Sequence, residues 1–234
     1  KVLNILNAFG NVKIIDEINN YIIFSEKITY IKDQEKIFTQ GKTEAILESR
    51  YNFLSKNVLL LKNEMILSSN EKSSLKDEDV YLYKFEKFNY SFYDGILKAK
   101  KIEIISDYQK SKDKKDYYFF DDGIIDIKNK NFTAGNTKIK IKKDSFENSK
   151  NDPRIYGVSS KKRGKVTTIK KGVFTSCALN DDCPPWSINS SEILHDSEKK
   201  QIIYKNAFLK IYDLPVLYFP KFFHPDPSVE RQSG

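Results

Sequence analysis

The chain has 234 residues, 40 Lys and Arg against 32 Asp and Glu, and a formal charge of +8. With 39% hydrophobic and 13% aromatic residues it is too rich in strand formers for a disordered chain. Apolar runs such as Val58 to Leu61 and Val216 to Phe219 fall far short of the roughly 18 residues of a membrane-spanning helix, and two cysteines cannot carry a disulfide framework, so burial in a β core has to hold the fold.

The chain begins at Lys1 with none of the basic and apolar segments of an export signal, which predicts a fragment whose targeting peptide lies upstream. Period-two alternation then dominates, with no sustained helical stripe, and the whole chain reads as β. Val12 and Ile14 flank Lys13, and Ile28 and Tyr30 flank Thr29, each pair marking a short strand. Gly10-Asn11-Val12-Lys13-Ile14 recurs loosely at Gly41-Lys42-Thr43-Glu44-Ala45-Ile46, 31 residues on, so strand, turn and Gly-started strand repeat. Ser68 to Asp79 reads as a solvated loop. Val80 to Phe85 is apolar or aromatic on both faces, which requires cover on both sides or a ligand on one. Ile102 and Ile104 flank Glu103, Ser106 to Asp116 reads as a second loop, Ile139 and Ile141 flank Lys140, and Asp144 to Arg154 reads as a third loop. Ala207, Leu209 and Ile211 alternate with Phe208, Lys210 and Tyr212. No composition shift marks a linker, so residues 1–212 are expected to form one domain and 213–234 a proline-rich connector.

The basic residues cluster at Lys110, Lys112, Lys114 and Lys115 and at Lys161, Lys162, Arg163 and Lys165, whereas Lys138, Lys140 and Lys142 alternate with apolar residues. The alternating set marks the solvent face of a sheet rather than a nucleic-acid stripe, and no nucleic-acid partner is expected. Nucleotide-binding, metalloprotease and serine-hydrolase signatures are missing, and the acid pairs Asp121-Asp122 and Asp181-Asp182 suit turns. His195 reads as a strand end entering a turn, and His224 sits before Pro225 in an extended backbone. Cys177 and Cys183 stand at no zinc-ligand spacing with either histidine. Neither metal, cofactor nor catalysis is expected. Aromatic and β-branched side chains with few convergent polar groups suit an open apolar groove for an acyl chain; the alternative is that they meet each other in a dry core.

The last quarter is more specific. Phe174-Thr175-Ser176-Cys177, Cys183-Pro184-Pro185-Trp186-Ser187-Ile188, Ala207 to Ile211, Leu214 to Pro220, Phe222 to Pro227 and Arg231 to Gly234 together resemble the LptD (OstA, Imp) family of lipopolysaccharide-assembly proteins of Gram-negative outer membranes. The Gly-started repeats upstream resemble that family's OstA-type repeats. The resemblance implies an all-β, antiparallel β-jellyroll open along one side, in the periplasm at the cell outer membrane, leading into a barrel that this chain lacks. It further implies lipopolysaccharide as cargo, an LptA-like bridge jellyroll joined by edge-strand pairing, and an LptE-like lipoprotein plug reached through the barrel. The alternative is a soluble LptA- or LptC-like bridging jellyroll without a barrel. Groove candidates expected to point inward are Ile14, Ile28, Tyr30, Phe38, Ile46, Phe53, Val58, Leu60, Ile104, Phe132, Ile139, Val166, Phe174 and Ile188. Trp186 is expected to plug the end of the core. The barrel-leading motif is Pro215, Pro220, Pro225, Pro227, Arg231 and Gly234, whose prolines are expected to forbid a continuous ladder. By the same resemblance Cys177 matches a family cysteine whose partner lies in the barrel; Cys183 departs from the family arrangement, and a local Cys177–Cys183 bond is the other possibility.

Overall fold

The computed structural model describes residues 4–77, 80–142, 152–178, 185–226 and 229. Among them the chain is all-β and antiparallel, a jellyroll-like fold whose helical content is two single turns, Lys32–Gln34 and Lys112–Lys114. It divides into two compact units, one formed by residues up to Ile104 with Ile124–Lys128, the other by Ile105–Gly123 and residues from Asn129 onward.

The first unit contains β1 (Ile5–Asp16), β2 (Tyr21–Ile31), β3 (Lys36–Leu47), β4 (Tyr51–Lys56), β5 (Leu59–Leu61), β6 (Ile66–Ser69), β7 (Ser73–Asp77), β8 (Tyr81–Ser91) and β9 (Ile96–Ser106, which leaves the unit after Ile104). The ladder runs β1-β2-β3-β4-β7-β8-β9, while β5 pairs with β3 and β6, and β6 with β8. Thus β4 and β5 follow one another along β3, and β6 and β7 share β8. The stretch Ser68 to Asp79 is therefore not a simple loop. Its alternation Ser73, Leu75, Asp77 puts a fully buried leucine and two buried polar residues on one face, and the small, polar composition concealed the strand.

Gly10 and Gly41, which start the repeated segments, both have φ of +79° and both lie where the ladder slips register, between Phe9 and Val12 in β1 and opposite Ser25 to Lys27 for β3. Glycine adopts that backbone without a Cβ penalty, so the repeat marks a pair of bulges in the two strands that flank β2.

The second unit contains the first part of β10 (Tyr117–Asp126), then β11 (Asn131–Lys140), β12 (Arg154–Arg163), β13 (Val166–Thr175), β14 (Trp186–Asp196), β15 (Gln201–Ile211) and β16 (Leu214–Pro225). From β11 to β16 each strand pairs with the next as a simple meander. Its core is Ile139, Ile141, Ile155, Ile169, Phe174, Ile188, Ile193, Ile202, Tyr204 and Ala207. The segment after Asp213 is a twelve-residue strand laddered on β15 from Ile211–Leu214 to Gln201–Pro225. Pro215 and Pro225 have ladder partners, Lys210 and Gln201, and the register shifts beside Pro215, between Leu209 and Lys210, so the strand pairs along its length but not as an unbroken ladder. β16 has β15 as its one ladder neighbour, and on an edge strand a residue without an N–H can turn its nitrogen away from the ladder.

Candidate functional site

Inward-facing residues are spaced by two, then three, then two. Examples are Tyr83, Phe85, Phe88 and Tyr90 in β8; Phe132, Ala134, Thr137 and Ile139 in β11; Thr167, Ile169, Gly172 and Phe174 in β13; and Ile202, Tyr204, Ala207 and Leu209 in β15. The phase slip falls beside a residue of left-handed backbone, Lys87, Asn136, Lys171 or Asn206, with φ between 45° and 49°. A slip of this kind bends the strand yet returns its apolar side chains to the same face. The result is a continuous and mainly apolar inner face in each unit.

In the first unit an aromatic cluster lines this face: Phe53 lies 5.6 Å from Phe85 and 4.8 Å from Phe88, and Tyr90 lies 5.6 Å from Phe92 between ring centroids. Small buried hydroxyls break the apolar surface and satisfy one another. Thr39 meets Thr43 at 2.6 Å, and Val58 N–H donates to Thr39 Oγ1 at 2.8 Å; Ser55 meets Ser73 at 2.8 Å. The buried Asp77 carboxylate accepts from Arg50 Nη2 at 3.4 Å. In the second unit Thr137 donates to Ser160 Oγ at 2.6 Å, both buried. Arg154, also buried, donates through Nη1 to the carbonyl oxygens of Asp152 and Cys177, at 3.0 and 2.5 Å.

Glycine opens room on this face at two points. A Cβ on Gly157 would come within 2.1 Å of Ile169 Cγ2, and one on Gly172 within 2.5 Å of Ile193 Cδ1 and Cγ1. Both isoleucines are fully buried, so their side chains occupy the space that any larger residue would need.

Of the expected inward residues, Ile28, Phe53, Val58, Leu60, Ile104, Phe132, Ile139, Phe174 and Ile188 are buried. Ile14 and Tyr30 lie on the inner face but are half-buried, with the Tyr30 hydroxyl donating to Glu35 Oε2 at 2.7 Å. Three expectations are corrected. Phe38 is 37% exposed and faces outward between inward Ile37 and Thr39. Ile46 faces outward between buried Ala45 and Leu47, and Val166 precedes the inward Thr167 and Ile169. In β3 the bulky residue was taken for the inward one, although alternation assigns that face to its neighbours, one of them only an alanine. In β13 the first inward residue is a threonine. Trp186 is half-buried against Phe174, 5.9 Å between rings, at the margin of the second core. Ile211, expected to alternate with core residues, is exposed beyond the last inward position, Leu209.

Cys177 carries a free thiol and is half-buried, its Sγ 3.7 Å from the Trp186 carbonyl oxygen. Cys183, Pro227, Arg231 and Gly234 lie outside the described residues, as does most of the expected Asp144 to Arg154 loop. Among the described residues no three His, Cys, Asp or Glu side chains are grouped as a metal site requires.

Both histidines of the chain lie on the inner face of the second unit, a juxtaposition that motif reading misses. In the ladder His195 stands opposite Ile202 and Ile202 opposite His224. His195 Nε2 donates to the Asp226 carboxylate in a close contact. Nearby, burial pushes the Asp116 carboxyl up from its ordinary value, against the pull of the Lys142 backbone N–H donating to it at 2.9 Å. On the outer face Glu192 joins two lysines, Lys170 and, at 2.6 Å, Lys205; these bonds hold its carboxyl below the usual range.

Among curated proteins, similarity is found to "LPS-assembly protein LptD" of several bacteria. The protein of Sodalis glossinidius is 42% identical over 76 residues, 32% of this chain and 9% of the relative. Those of Yersinia pestis bv. Antiqua and Legionella pneumophila strain Paris are each 38% identical, over 72 and 66 residues, 31% and 28% of this chain. The chain resembles LptD. The matched segment spans about 9% of the length of the LptD proteins of Sodalis and Yersinia. No family model matches the chain.

Proposed function

We propose that this chain takes part in lipopolysaccharide assembly at the outer membrane as a non-enzymatic, periplasmic part of an LptD-like protein, its inner apolar face receiving acyl chains. The local identity of 36–42% to LptD proteins from several genera carries this reading. The physical support is the mainly apolar inner face, which offers an acyl chain about 0.8 kcal/mol per methylene transferred from water. Residues that keep partial access while touching the second core, namely Tyr118, Trp186, Leu209, Phe219 and Phe222, are where a chain would first make contact. In the first unit Ile14 and Tyr30 play the corresponding part.

In this reading β1 is the docking edge for an LptA-like bridge jellyroll. β1 has one ladder partner, β2, and exposes Ile5, Leu6, Phe9 and Ile15; an unpaired edge supplies backbone donors and acceptors to an added strand. Residues 213–234 lead toward a barrel, through which an LptE-like lipoprotein is the further partner.

Binding of purified lipopolysaccharide, compared with the same saccharide after removal of its acyl chains, tests the proposal. The intact lipid should bind saturably and the deacylated saccharide should not. Equal binding of both would transfer recognition to the lysine-rich surface and refute an acyl-binding face.

A further inference from the structure

His224 sits in a setting that favours its neutral form. Its Nδ1 lies 2.6 Å from the Pro225 carbonyl oxygen, an acceptor only, so Nδ1 carries the proton. Its Nε2 lies 2.8 Å from the Tyr204 hydroxyl, and in the neutral ring Nε2 is the acceptor for that O–H. Tyr204 is fully buried, and the imidazole is enclosed by the rings of Phe174, Tyr204 and Phe222 at 5.2, 5.5 and 6.2 Å.

The titratable and charged groups around this pocket come from every neighbouring element. β15 contributes Tyr204, β14 contributes His195, and the residue that follows β16 is Asp226. Asp116, just before β10, faces His195 and Asp226 in turn, and Lys142, just after β11, faces Asp116. Asp226 favours a cation on His224 and His195 opposes one, while Asp226 itself accepts from His195. β13 faces the ring with Phe174.

We infer that His224 is an acid-sensitive clasp, which when neutral holds the end of β16 against the second core and when protonated lets that end go. Protonation replaces the acceptor at Nε2 with a second N–H, so that the buried Tyr204 hydroxyl loses the acceptor of its own proton, and it places a charge among three rings. Burial already draws the imidazole below its ordinary value. β16 is suited to such release at its end, where beyond the β15 ladder and the packing of Phe222 the His195–Asp226 contact and the Asp226 N–H bond to the Lys200 carbonyl oxygen at 2.8 Å hold it.

The sign follows from linkage. A histidine whose folded value is depressed contributes its full stabilisation above the unfolded value near pH 6.5, and loses it as pH falls through the folded value. The opening equilibrium of β16 therefore rises by up to about tenfold per pH unit in that window.

Hydrogen exchange of the 234-residue chain, read as protection factors from pH 7.5 to 5.0, tests this. Protection of Phe219 to His224 should fall as pH drops below about 6.5, while Thr167 to Phe174 in β13 keeps its protection. The double variant Tyr204→Phe with His224→Phe keeps the rings and removes the titration, and its β16 protection should be flat with pH. His195→Gln should keep the pH dependence. The His224 ring resonances of the unmodified chain should titrate below the ordinary imidazole value, a measurement that needs no variant. The inference is overturned if the ring titrates at or above that value, if β16 protection in the unmodified chain is flat, or if the double variant, folded by its β13 protection, retains the dependence.

Discussion

Gly172→Ala tests the close packing of the second unit. The added Cβ lands 2.5 Å from both Cγ1 and Cδ1 of Ile193, well inside van der Waals contact. Ile193 is fully buried between Ile169 and Tyr204 in the ladder, so its side chain has no solvent to swing into. In an open strand the same change would gain about 0.4–1 kcal/mol by restricting the unfolded chain. Overpacking costs about 1–3 kcal/mol and outweighs that gain, leaving a net loss of about 1–2 kcal/mol. A chain of this length loses roughly 2–4 °C of midpoint per kcal/mol, so a fall of about 2–8 °C is expected. Urea titration and thermal melting followed by circular dichroism measure it. Ile193→Val alone should cost about 0.5–1.5 kcal/mol by removing a buried methyl group. In the double variant one of the two clashing carbons, Cδ1, is gone while Cγ1 stays, and the combined loss should be smaller than the sum by about 0.5 kcal/mol or more. A neutral or stabilising Gly172→Ala, or strict additivity with Ile193→Val, would refute the claim that this glycine exists to admit Ile193.

Three further outcomes are expected. Phe53→Ala, which empties the centre of the first aromatic cluster, should cost about 3–5 kcal/mol by chemical denaturation, against almost nothing for Lys76→Ala on the exposed side of β7. Ser160→Ala strands the buried Thr137 hydroxyl and should cost about 1–3 kcal/mol, most of which returns when Thr137→Val is added, since replacing both partners removes the unmet hydrogen bond. Glu192→Gln should cost less than about 1 kcal/mol at pH 7, the two lysines being half exposed. Because its carboxyl is held below the ordinary value, the difference from the unmodified chain should be full above about pH 4.5 and vanish as pH falls through the folded value, measured by melts at graded pH.

Strand content was legible in the sequence because each strand obeys period two over four or five residues. The phase slip was not, since a window centred on Lys171 or Asn206 sees two alternations out of step and reads as none. That slip explains why the segments around the Gly10 and Gly41 motifs were identifiable, their glycines being the visible mark of a bulge, whereas slips carried by lysine or asparagine left no such sign. Phe38 and Ile46 were misplaced by size: alternation assigns the inner positions to Ile37, Thr39, Ala45 and Leu47, and bulk drew attention to the wrong neighbours. β7 was concealed because its inward polar residues, Ser73 and Asp77, meet Ser55 and Arg50, partners 18 and 27 residues away that no local window contains. The prolines of β16 pointed to an interrupted ladder, and the ladder does shift register beside Pro215, yet the strand pairs on from there to Pro225, because a sequence does not show which strands lie at an edge. The pairing of His195 with His224 depends on two successive ladders, and neither histidine is informative by itself.

Site-specific photo-crosslinking with lipopolysaccharide tests the central claim most directly. A photoreactive side chain at Leu209 or Phe222 looks onto the second core, while one at Phe208 stands on the opposite face of β15, equally apolar and 42% exposed. Adducts to lipid at Leu209 and Phe222 with none at Phe208 are the predicted result. Equal labelling at Phe208, or no labelling at the two inward positions of a chain whose β13 amides remain protected, would contradict an acyl-binding inner face and leave that face a dry core.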